Sequence, residues 1–300
     1  VYISGQIFLD LKPAKVGRVL DYLKRHNRHV LLSALATDRV YYDACHDGHT
    51  YRYSDYRLGS EPSPYVQSAE YQAQQQDNWG MPFMKVHSDH VLRTIDGAVA
   101  CLWEYYAAYK PLLGDKVTHA GIPIDIDAVT MRPLDSEPEK VRFFIGIQRD
   151  RTVIKGTDRM HEALKAVCAA RPHECELVVA ESVPYAQYVE MMRSSHVLLD
   201  QLYSYTPAMN GLLAMSKGLV IVGGGEEEHY QLLGEDSLRP IINVQPDEED
   251  VYRQLESIVL HADPASHIDR LKQESIAYVK RHHDHIKVAQ RYLDFWKSRM

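Results

Sequence analysis

The segment from residue 195 to residue 230 constrains the fold of this chain most, because it holds two buried strands on either side of a short helix. The apolar run HVLLD ends in an acid, and the loop LYSYTP that follows contains a proline, which blocks regular structure. GLLAMSK is then a helix that Asn210 can cap and that Gly218 ends, before the second strand LVIV and a glycine turn at 223–225. This order predicts a parallel sheet, in which ligands bind where loops leave the carboxyl ends of the strands.

Composition limits the class of protein. The chain has 300 residues, of which 45% are hydrophobic, and this is enough for a sizeable core in roughly two domains. The formal charge of -7 argues against nucleic acid as a partner. No apolar run approaches the ~20 residues of a membrane span, and the four cysteines have no CxxC spacing. We therefore predict a cytoplasmic protein with reduced thiols.

Strands and helices alternate on both sides of the segment RPLDSEPEK. Its proline and charge content predicts a linker near residues 132–140. Before it, a strand, a helix and the buried strand VLLSALATD are followed by a long irregular excursion from Tyr41 to Met84. We predict an N-terminal β/α domain at residues 1–131 and a C-terminal β/α domain at residues 132–285.

Three cations follow the first predicted strand of the second domain, in the loop IQRDRTVIKG. Arg149, Arg151 and Lys155 come before Gly156 and a helix that Thr157 opens. The cations could neutralise a diphosphate and donate hydrogen bonds to its oxygens. A solvated basic loop fits the same spacing. The glycines form neither a Walker A nor a GxGxxG pattern, which argues against ATP and NAD, and no GxSxG motif supports a serine hydrolase.

The glycine turn and the acids after it are a second candidate site. Gly224 and Gly225 let the backbone approach a ligand closely, and the acids at 226–228 can accept hydrogen bonds from sugar or ribose hydroxyls. The alternative is an ordinary turn whose acids favour the start of a helix. Histidines cluster with acids at 43–49 and at 282–285, but no third convergent ligand is identifiable. We predict structural or surface roles for both clusters, and no metal site.

The first predicted helix carries a basic face opposite its apolar stripe. Such a face is typical of a solvated helix, and it also fits a contact with an anionic membrane surface, such as the inner face of the cell membrane. The basic residues are Lys15, Arg18, Lys24, Arg25 and Arg28.

The second domain resembles the donor half of GT-B glycosyltransferases and is most similar to the retaining enzymes of family 4. The segment LLAMSKGLVIV resembles the family's LEAMACGxPVV, and IPIDIDAV resembles its segment at the domain junction. FFIGI with the cations, HVLLDQLYSYTP and the glycine turn complete the likeness, which covers about residues 118–260 well and the first 118 loosely. It implies an α/β fold of two Rossmann-like domains, the first without its opening strands. In such folds the last helix, at 286–300, packs back on the first domain.

This resemblance implies a glycosyltransferase that moves a hexose from a nucleotide-sugar donor to an acceptor hydroxyl, with retention and without a bound metal or cofactor. Arg149 or Arg151 together with Lys155 would hold the donor diphosphate. The helix that begins near Asn210 would point its amides at the same group. These groups would stabilise the charge of the departing phosphate. The acceptor would be a glycan or a lipid-linked acceptor in the synthesis of surface polysaccharide or lipopolysaccharide.

The chain departs from the family at two glutamates that lie eight positions apart. Their positions hold Tyr205 and Leu213. The acids at 226–228 could replace the ribose contacts, and hydroxyls at 203–206 could replace the sugar contacts. The missing glutamates leave open a non-catalytic sugar-nucleotide or glycan-binding protein on the same fold. A second alternative is a non-hydrolysing sugar-nucleotide epimerase, which shares this architecture.

One acid of the first domain is included in the predicted site. The strand LLSALATD resembles the family strand that ends in His-Gly-Ser/Thr-Asp, with Leu35 in the histidine position and Asp38 as the matching acid. The predicted catalytic residues are Asp38, Arg149 and Lys155. The predicted donor-binding residues are Arg149, Arg151, Lys155, Gly156, Tyr203, Ser204, Tyr205, Thr206, Asn210, Gly224, Gly225, Glu226 and Glu228.

Overall fold

The computed structural model describes residues 1–74, 79–127 and 140–299. The chain divides into two compact units, Val1–Ile122 with Ile286–Met300, and Pro123–His285. The predicted linker apart from Lys140, the predicted boundary between residues 131 and 132, and the last two residues of IPIDIDAV lie outside the described residues. No helix in the described ranges is long and apolar enough to cross a membrane.

The N-terminal unit contains a parallel sheet. The described strands of the unit are β1 (Tyr2–Ile3), β2 (Leu31–Ala34), β3 (Arg57–Leu58), β4 (Glu61–Pro62), β5 (Gly97–Ala100) and β6 (Val117–His119). The sheet has the order β1-β2-β5-β6, while β3 and β4 form an antiparallel ribbon. Every residue of β2 and β5 is buried, as expected for strands that are covered on both faces.

Helices lie between the strands of this unit along the chain. They are α1 (Pro13–His26), α2 (Arg39–His46), α3 (Ala69–Gln74), α4 (Pro82–Thr94) and α5 (Trp103–Leu113). The apolar stripe predicted for α1 is confirmed, because Val16 and Leu20 are buried in the core. Lys24, predicted for the basic face, instead forms an ion pair with Asp96, with Nζ 2.5 Å from Oδ1.

The described residues between Tyr41 and Met84, which are 41–74 and 79–84, are more regular than the sequence predicted. They form most of α2, the β3–β4 ribbon, α3 and the start of α4. Buried tyrosine rings hold them together, since Tyr56 packs edge-on against Tyr42 and Tyr65, with ring centroids 5.4 Å and 6.1 Å apart. Contacts between rings leave no helical or strand period in the sequence, which explains why the prediction was wrong here.

The C-terminal unit contains a five-stranded parallel sheet, as predicted. Its strands are β7 (Val141–Ile147), β8 (Cys175–Glu181), β9 (Val197–Leu199), β10 (Val220–Gly223) and β11 (Ile241–Asn243). Their order is β11-β10-β9-β7-β8, so β7 lies between β8 and β9 and the carboxyl ends of the three strands are adjacent. Loops that leave these ends lie at one edge of the sheet.

The helices of the C-terminal unit follow its strands. They are α6 (Thr152–Lys155), α7 (Thr157–Ala170), α8 (Tyr185–Arg193), α9 (Met209–Ser216), α10 (Glu227–Leu233), α11 (Glu248–Val259) and α12 (Pro264–His282). Gly156 alone separates α6 from α7, with a left-handed φ of 66°. The predicted cap of α9 is wrong, because Ala208 is the N-cap residue and Asn210 lies in the first turn.

The last helix, α13 (His285–Ser298), belongs almost entirely to the N-terminal unit. Val288 and Phe295 pack in one apolar cluster with Val99 and Ala120 of that unit. Arg291 adds a polar contact, since its Nη1 donates to the carbonyl of Ala120 at 2.8 Å. The two ends of the sequence therefore build a single unit.

Candidate ligand-binding site

A cavity of about 410 Å³ opens at the carboxyl ends of β7 and β8. The sequence predicted a ligand at this edge of the sheet. The first turns of α8 and α9 contribute Tyr185 and Asn210 to its wall. The size of the cavity and its mixed wall are typical of a small-molecule site. The lining residues are Gly146, Ile147, Gln148, Lys155, Ala180, Ser182, Val183, Tyr185, Tyr188 and Asn210.

Tyr188 connects the strand floor of the cavity to α9. Its ring packs edge-on against Phe144 at 5.1 Å, and a Cβ at Gly146 would lie 2.8 Å from its hydroxyl, so the glycine makes room for the ring. The Tyr188 hydroxyl donates to Oδ1 of Asn210 at 2.8 Å, and burial raises the pKa of Tyr188 to about 12. Because its carbonyl accepts this bond, Asn210 can donate from its amide nitrogen to a ligand.

Lys155 is the cation of the cavity. Its Nζ donates to Oε1 of Gln148 at 2.7 Å, and its carbonyl accepts the N–H of Leu202 at 2.9 Å. Burial lowers the pKa of Lys155, and the charge of Arg151 acts in the same direction, whereas Asp200 opposes them. A bound anion would favour the charged form again. Lys155 therefore presents a partly buried amine to any anion that enters the cavity.

The two predicted arginines lie near the cavity without lining it. Arg149 and Arg151 belong to one turn of 3-10 helix after β7. The Nε of Arg149 lies 2.7 Å from Oε1 of Glu181, and both side chains are exposed. The charge of Arg151 acts on Lys155, which places it in the same neighbourhood. Of the three predicted cations, Lys155 is the one that lines the cavity.

The start of α9 contacts an acid that was not predicted as part of the site. Asp200, the acid that follows β9, is buried, and its Oδ2 lies 3.2 Å from the N–H of Ala208. A Cβ at Gly211 would lie 2.6 Å from the same Oδ2 atom, so the helix and the acid approach closely. Burial raises the pKa of Asp200, while the Ala208 N–H and Lys155 act in the opposite direction. Asp200 is the acid that ends HVLLD, and this position at a strand end is the sequence signal that could have indicated the contact.

The hydroxyl-bearing loop after β9 packs into the protein. Tyr203, Tyr205 and Thr206 are buried, and none of them lines the cavity. The ring of Tyr203 lies beside Gly156, where a Cβ would be 3.0 Å from its Cε2 atom. The Ser204 carbonyl faces the glycine turn. Sugar contacts by this loop stay a prediction.

The glycine turn and its acids form a separate polar network. A Cβ at Gly224 would lie 2.2 Å from the carbonyl oxygen of Ser204, so only glycine allows the two loops to meet. The N–H of Gly225 donates to Oδ1 of Asn243 at 2.9 Å. Glu226 is buried and accepts from Nδ2 of Asn243 at 2.9 Å. Glu228 is half-buried in the first turn of α10. None of these residues lines the cavity, and their donor contacts stay predictions.

Asp38 lies in the N-terminal unit as the N-cap of α2. Its Oδ1 accepts the N–H of Tyr41 at 2.9 Å, and the hydroxyl of Tyr109 donates to its other oxygen. Nε2 of Gln6 donates in turn to the Tyr109 hydroxyl at 2.9 Å. Burial raises the pKa of Asp38 to about 6, against the effect of these hydrogen bonds. Gln6 and Tyr109 were not predicted, because both are distant from Asp38 in sequence.

One group of side chains in the described part of the chain has the arrangement of metal ligands. Asp125, Asp127 and His285 have ligand atoms that all lie within 4.8 Å of one another, and none of the three lines the cavity. His285 belongs to the histidine-rich segment at 282–285, for which the sequence predicted a structural or surface role. Its approach to Asp125 and Asp127 could not be predicted, because these two residues lie far away in sequence. His282 lies 2.7 Å from a Glu235 oxygen through its Nε2 atom.

Comparisons with known proteins show which solved structures share the fold of this chain. No protein-family model matches the sequence, and no curated protein matches it. Sucrose-phosphate synthase from Thermosynechococcus elongatus is similar in structure, with 12% identity, coverage of 94% of this chain and 71% of that chain, and a TM-score of 0.57. HepE from Anabaena, solved with UDP and glucose, has 11% identity, coverage of 99% and 98%, and a TM-score of 0.52.

A third similar structure is a trehalose-6-phosphate synthase from a study of glycosyltransfer with retention. It has 10% identity, coverage of 95% of this chain and 78% of that chain, and a TM-score of 0.60. Likeness at such low identity shows the fold, which is the two-unit α/β architecture of GT-B glycosyltransferases. The fold predicted from the sequence is confirmed. Membership of family 4 stays a prediction.

Proposed function

We propose that this chain is a glycosyltransferase that binds a nucleotide-sugar donor in the cavity at the ends of β7 and β8. One observation carries the proposal: Lys155 and Asn210, which lies in the first turn of α9, line the same cavity. A cation and the N-terminal end of a helix are the two groups that a diphosphate requires. The similarity to HepE, solved with UDP and glucose, supports this choice of ligand.

The proposed reaction transfers a hexose from the nucleoside diphosphate to an acceptor hydroxyl. The bond between the sugar and the diphosphate breaks, and the diphosphate gains negative charge as it leaves. Lys155 would stabilise this charge, with the side-chain amide of Asn210 as a further donor. No metal or cofactor is required in this proposal. Retention is supported by the similar trehalose-6-phosphate synthase, and the proposed acceptor is a glycan or lipid-linked acceptor in surface polysaccharide or lipopolysaccharide synthesis.

A nucleotide-binding experiment tests the site. We expect UDP or GDP, or one of their sugars, to bind the full chain in calorimetry, and Lys155→Ala to weaken that binding about 10- to 100-fold, because a charge-assisted hydrogen bond is lost. Lys165→Ala is the matched control, since Lys165 lies in α7 and forms an exposed ion pair with Glu162. Melting temperatures establish that each variant is folded. Equal affinity of the Lys155 variant and the parent would exclude this site.

A second function is favoured by the two positions that hold glutamates in the family. Tyr205 is fully buried and Leu213 is apolar, so neither position offers a carboxylate to a sugar. A sugar-nucleotide or glycan-binding protein without catalysis fits this departure. Incubation with UDP- and GDP-sugars, with and without acceptors, separates the functions. A transferase needs an acceptor for net transfer, an epimerase converts the donor without one, and a binding protein gives no turnover.

We extend the proposal to a contact of the N-terminal unit with an anionic membrane surface in the cytoplasm. Arg18 and Arg25 of α1 are exposed and share one helical face. Phe83 and Val86 of α4 are 55% and 68% exposed. Cations and exposed apolar side chains together favour binding to anionic lipid. The four cysteines are free, which fits a reducing compartment.

Flotation with vesicles tests this contact. The full chain should bind vesicles of phosphatidylcholine with phosphatidylserine, and not vesicles of phosphatidylcholine alone. Arg18→Glu with Arg25→Glu should reduce binding about tenfold or more, because each cation near the surface contributes to the attraction. Lys165→Glu with Arg270→Glu, two exposed cations of the other unit, is the charge-matched comparison. Unchanged flotation of the double variant would contradict the membrane proposal.

A further inference from the structure

Arg149 has a carboxylate partner of its own beside the cavity. Its Nε lies 2.7 Å from Oε1 of Glu181, and the two side chains are 72% and 41% exposed. The pair joins adjacent strand ends, because Glu181 ends β8 and its register partner Ile147 ends β7. The chain neighbours of the pair, Gln148 and Ser182, line the cavity. The ion pair is therefore next to the space that the proposed donor would occupy.

We propose that Glu181 competes with the phosphates of the donor for Arg149, and so sets the affinity and the charge selectivity of the cavity. This inference rests on the proposed function, since it assumes a diphosphate ligand. Without ligand, the guanidinium is held by the carboxylate. When a diphosphate enters, Arg149 exchanges Glu181 for phosphate oxygens, to which it can donate two parallel hydrogen bonds. The carboxylate then remains in water.

Exposure of the pair allows this exchange. A solvent-exposed ion pair contributes little to stability, because water screens both charges. Opening it buries neither charge, so the two side chains can separate at small cost. Arg149 stays positive with either partner, because the pKa of an arginine lies far above neutral pH, and hydrogen bonding and charge from Glu181 raise it further while the pair is closed. Arg149 is therefore a permanent donor whose partner can change.

Competition has a consequence for selectivity. Glu181 also places a negative charge near the site of the ligand phosphates, which repels every anion that enters. A diphosphate has enough charge to displace the carboxylate from Arg149, whereas a monophosphate gains less from the exchange. Glu181 thus lowers the affinity for diphosphates more than the affinity for monophosphates, and so narrows the preference of the cavity for diphosphates. In the opposite role, Glu181 would orient Arg149 for the ligand. Removal of the Glu181 carboxylate would then weaken diphosphate binding.

Calorimetry with UDP, GDP and their monophosphates tests the sign of this effect. We expect Glu181→Gln to tighten diphosphate binding roughly 1.5- to fivefold, which is the range for loss of an exposed ion pair. The ratio of diphosphate to monophosphate affinity should rise, because the diphosphate gains more from a released Arg149. Arg149→Ala should weaken diphosphate binding. In a chain that already carries Arg149→Ala, Glu181→Gln should tighten diphosphate binding much less. Position 149 then has no guanidinium for which Glu181 and the ligand could compete.

A matched control lies on the same two strands. Glu176, near the amino end of β8, forms an ion pair with Arg142 of β7, and the two residues are register partners. Glu176→Gln removes the same charge from the same strand and should leave affinity unchanged. Unchanged or weaker binding by Glu181→Gln overturns the inference, as does an equal gain in the Arg149→Ala background. If neither parent nor variant binds a diphosphate, the proposed function fails as well. Binding that depends on Lys155 but not on Glu181 refutes this inference alone.

Discussion

Gly156→Ala is expected to lower the free energy of unfolding by about 2–4 kcal/mol, as the sum of backbone strain and a steric clash. The φ of Gly156 is 66°, a left-handed conformation that an alanine adopts only at a cost. A Cβ there would lie 2.6 Å from Cβ of Leu202, and that atom cannot move without the backbone of the loop after β9. The loop is tied to the carbonyl of Lys155, so the variant should also bind nucleotide more weakly.

Urea unfolding of Gly156→Ala beside Gly234→Ala separates the two causes. Gly234 has almost the same φ, 62°, but a Cβ there would meet no atom within 4 Å. Gly234→Ala should lower the free energy of unfolding only by the cost of a left-handed alanine, which is about 1–2 kcal/mol. Equal losses in the two variants would show that the contact with Leu202 does not constrain the turn. A larger loss at Gly156 would show that α6, α7 and the loop after β9 are held together at this glycine.

The parallel sheet of the C-terminal unit could be predicted because its central strands β9 and β10 are buried on both faces. FFIGI and LVIV are continuous apolar runs, and such runs between helices are typical of parallel strands. The tyrosine-rich part of the N-terminal unit could not be predicted in the same way. Its order depends on ring contacts such as that between Tyr56 and Tyr65, which have no local period.

The site could be predicted in position and only partly in its residues. Lys155 and Asn210 were expected at one sheet edge, and the structure brings them into one cavity. The partner of Arg149 could not be read from the sequence, because Glu181 lies 32 residues away on the next strand. Asp200 was visible as an acid at a strand end. Its contact with the N–H of Ala208 depends on how the intervening loop turns back.

Glu235→Gln is expected to lower the free energy of unfolding at neutral pH by about 3 kcal/mol, because it removes one partner from a buried ionic network. The Glu235 side chain is 2% exposed. One of its oxygens lies 2.8 Å from Nη1 of Arg281 and 2.7 Å from Nε2 of His282. The other accepts the backbone N–H groups of Ser237 and Leu238, each at 2.8 Å. These contacts join the end of α12 to the loop that follows α10.

The same network predicts how stability depends on pH. The hydrogen bonds from His282 and from the backbone hold the pKa of Glu235 well below the ordinary 4.5, against the effect of burial. A carboxyl with a lowered pKa in the folded state stabilises the protein fully above its unfolded pKa. That contribution is lost as the pH falls below about 4.5 toward the folded value. Glu235→Gln cannot ionise, so its stability should fall less steeply than that of the parent over this acid range.

Chemical denaturation at several pH values, with Glu227→Gln as the comparison, tests both parts of this prediction. Glu227 forms an ion pair with Arg239, but the two side chains are 51% and 42% exposed, so its loss should cost less than about 1 kcal/mol. A loss at Glu235 no larger than that at Glu227 would contradict the argument from burial. An unchanged acid slope in Glu235→Gln would mean that other carboxylates carry the pH dependence. A large difference in the free energy of unfolding between the parent and Glu235→Gln that disappears in acid would show that ionised Glu235 causes it. In acid Glu235 of the parent is protonated, so the parent lacks the same charge as the variant.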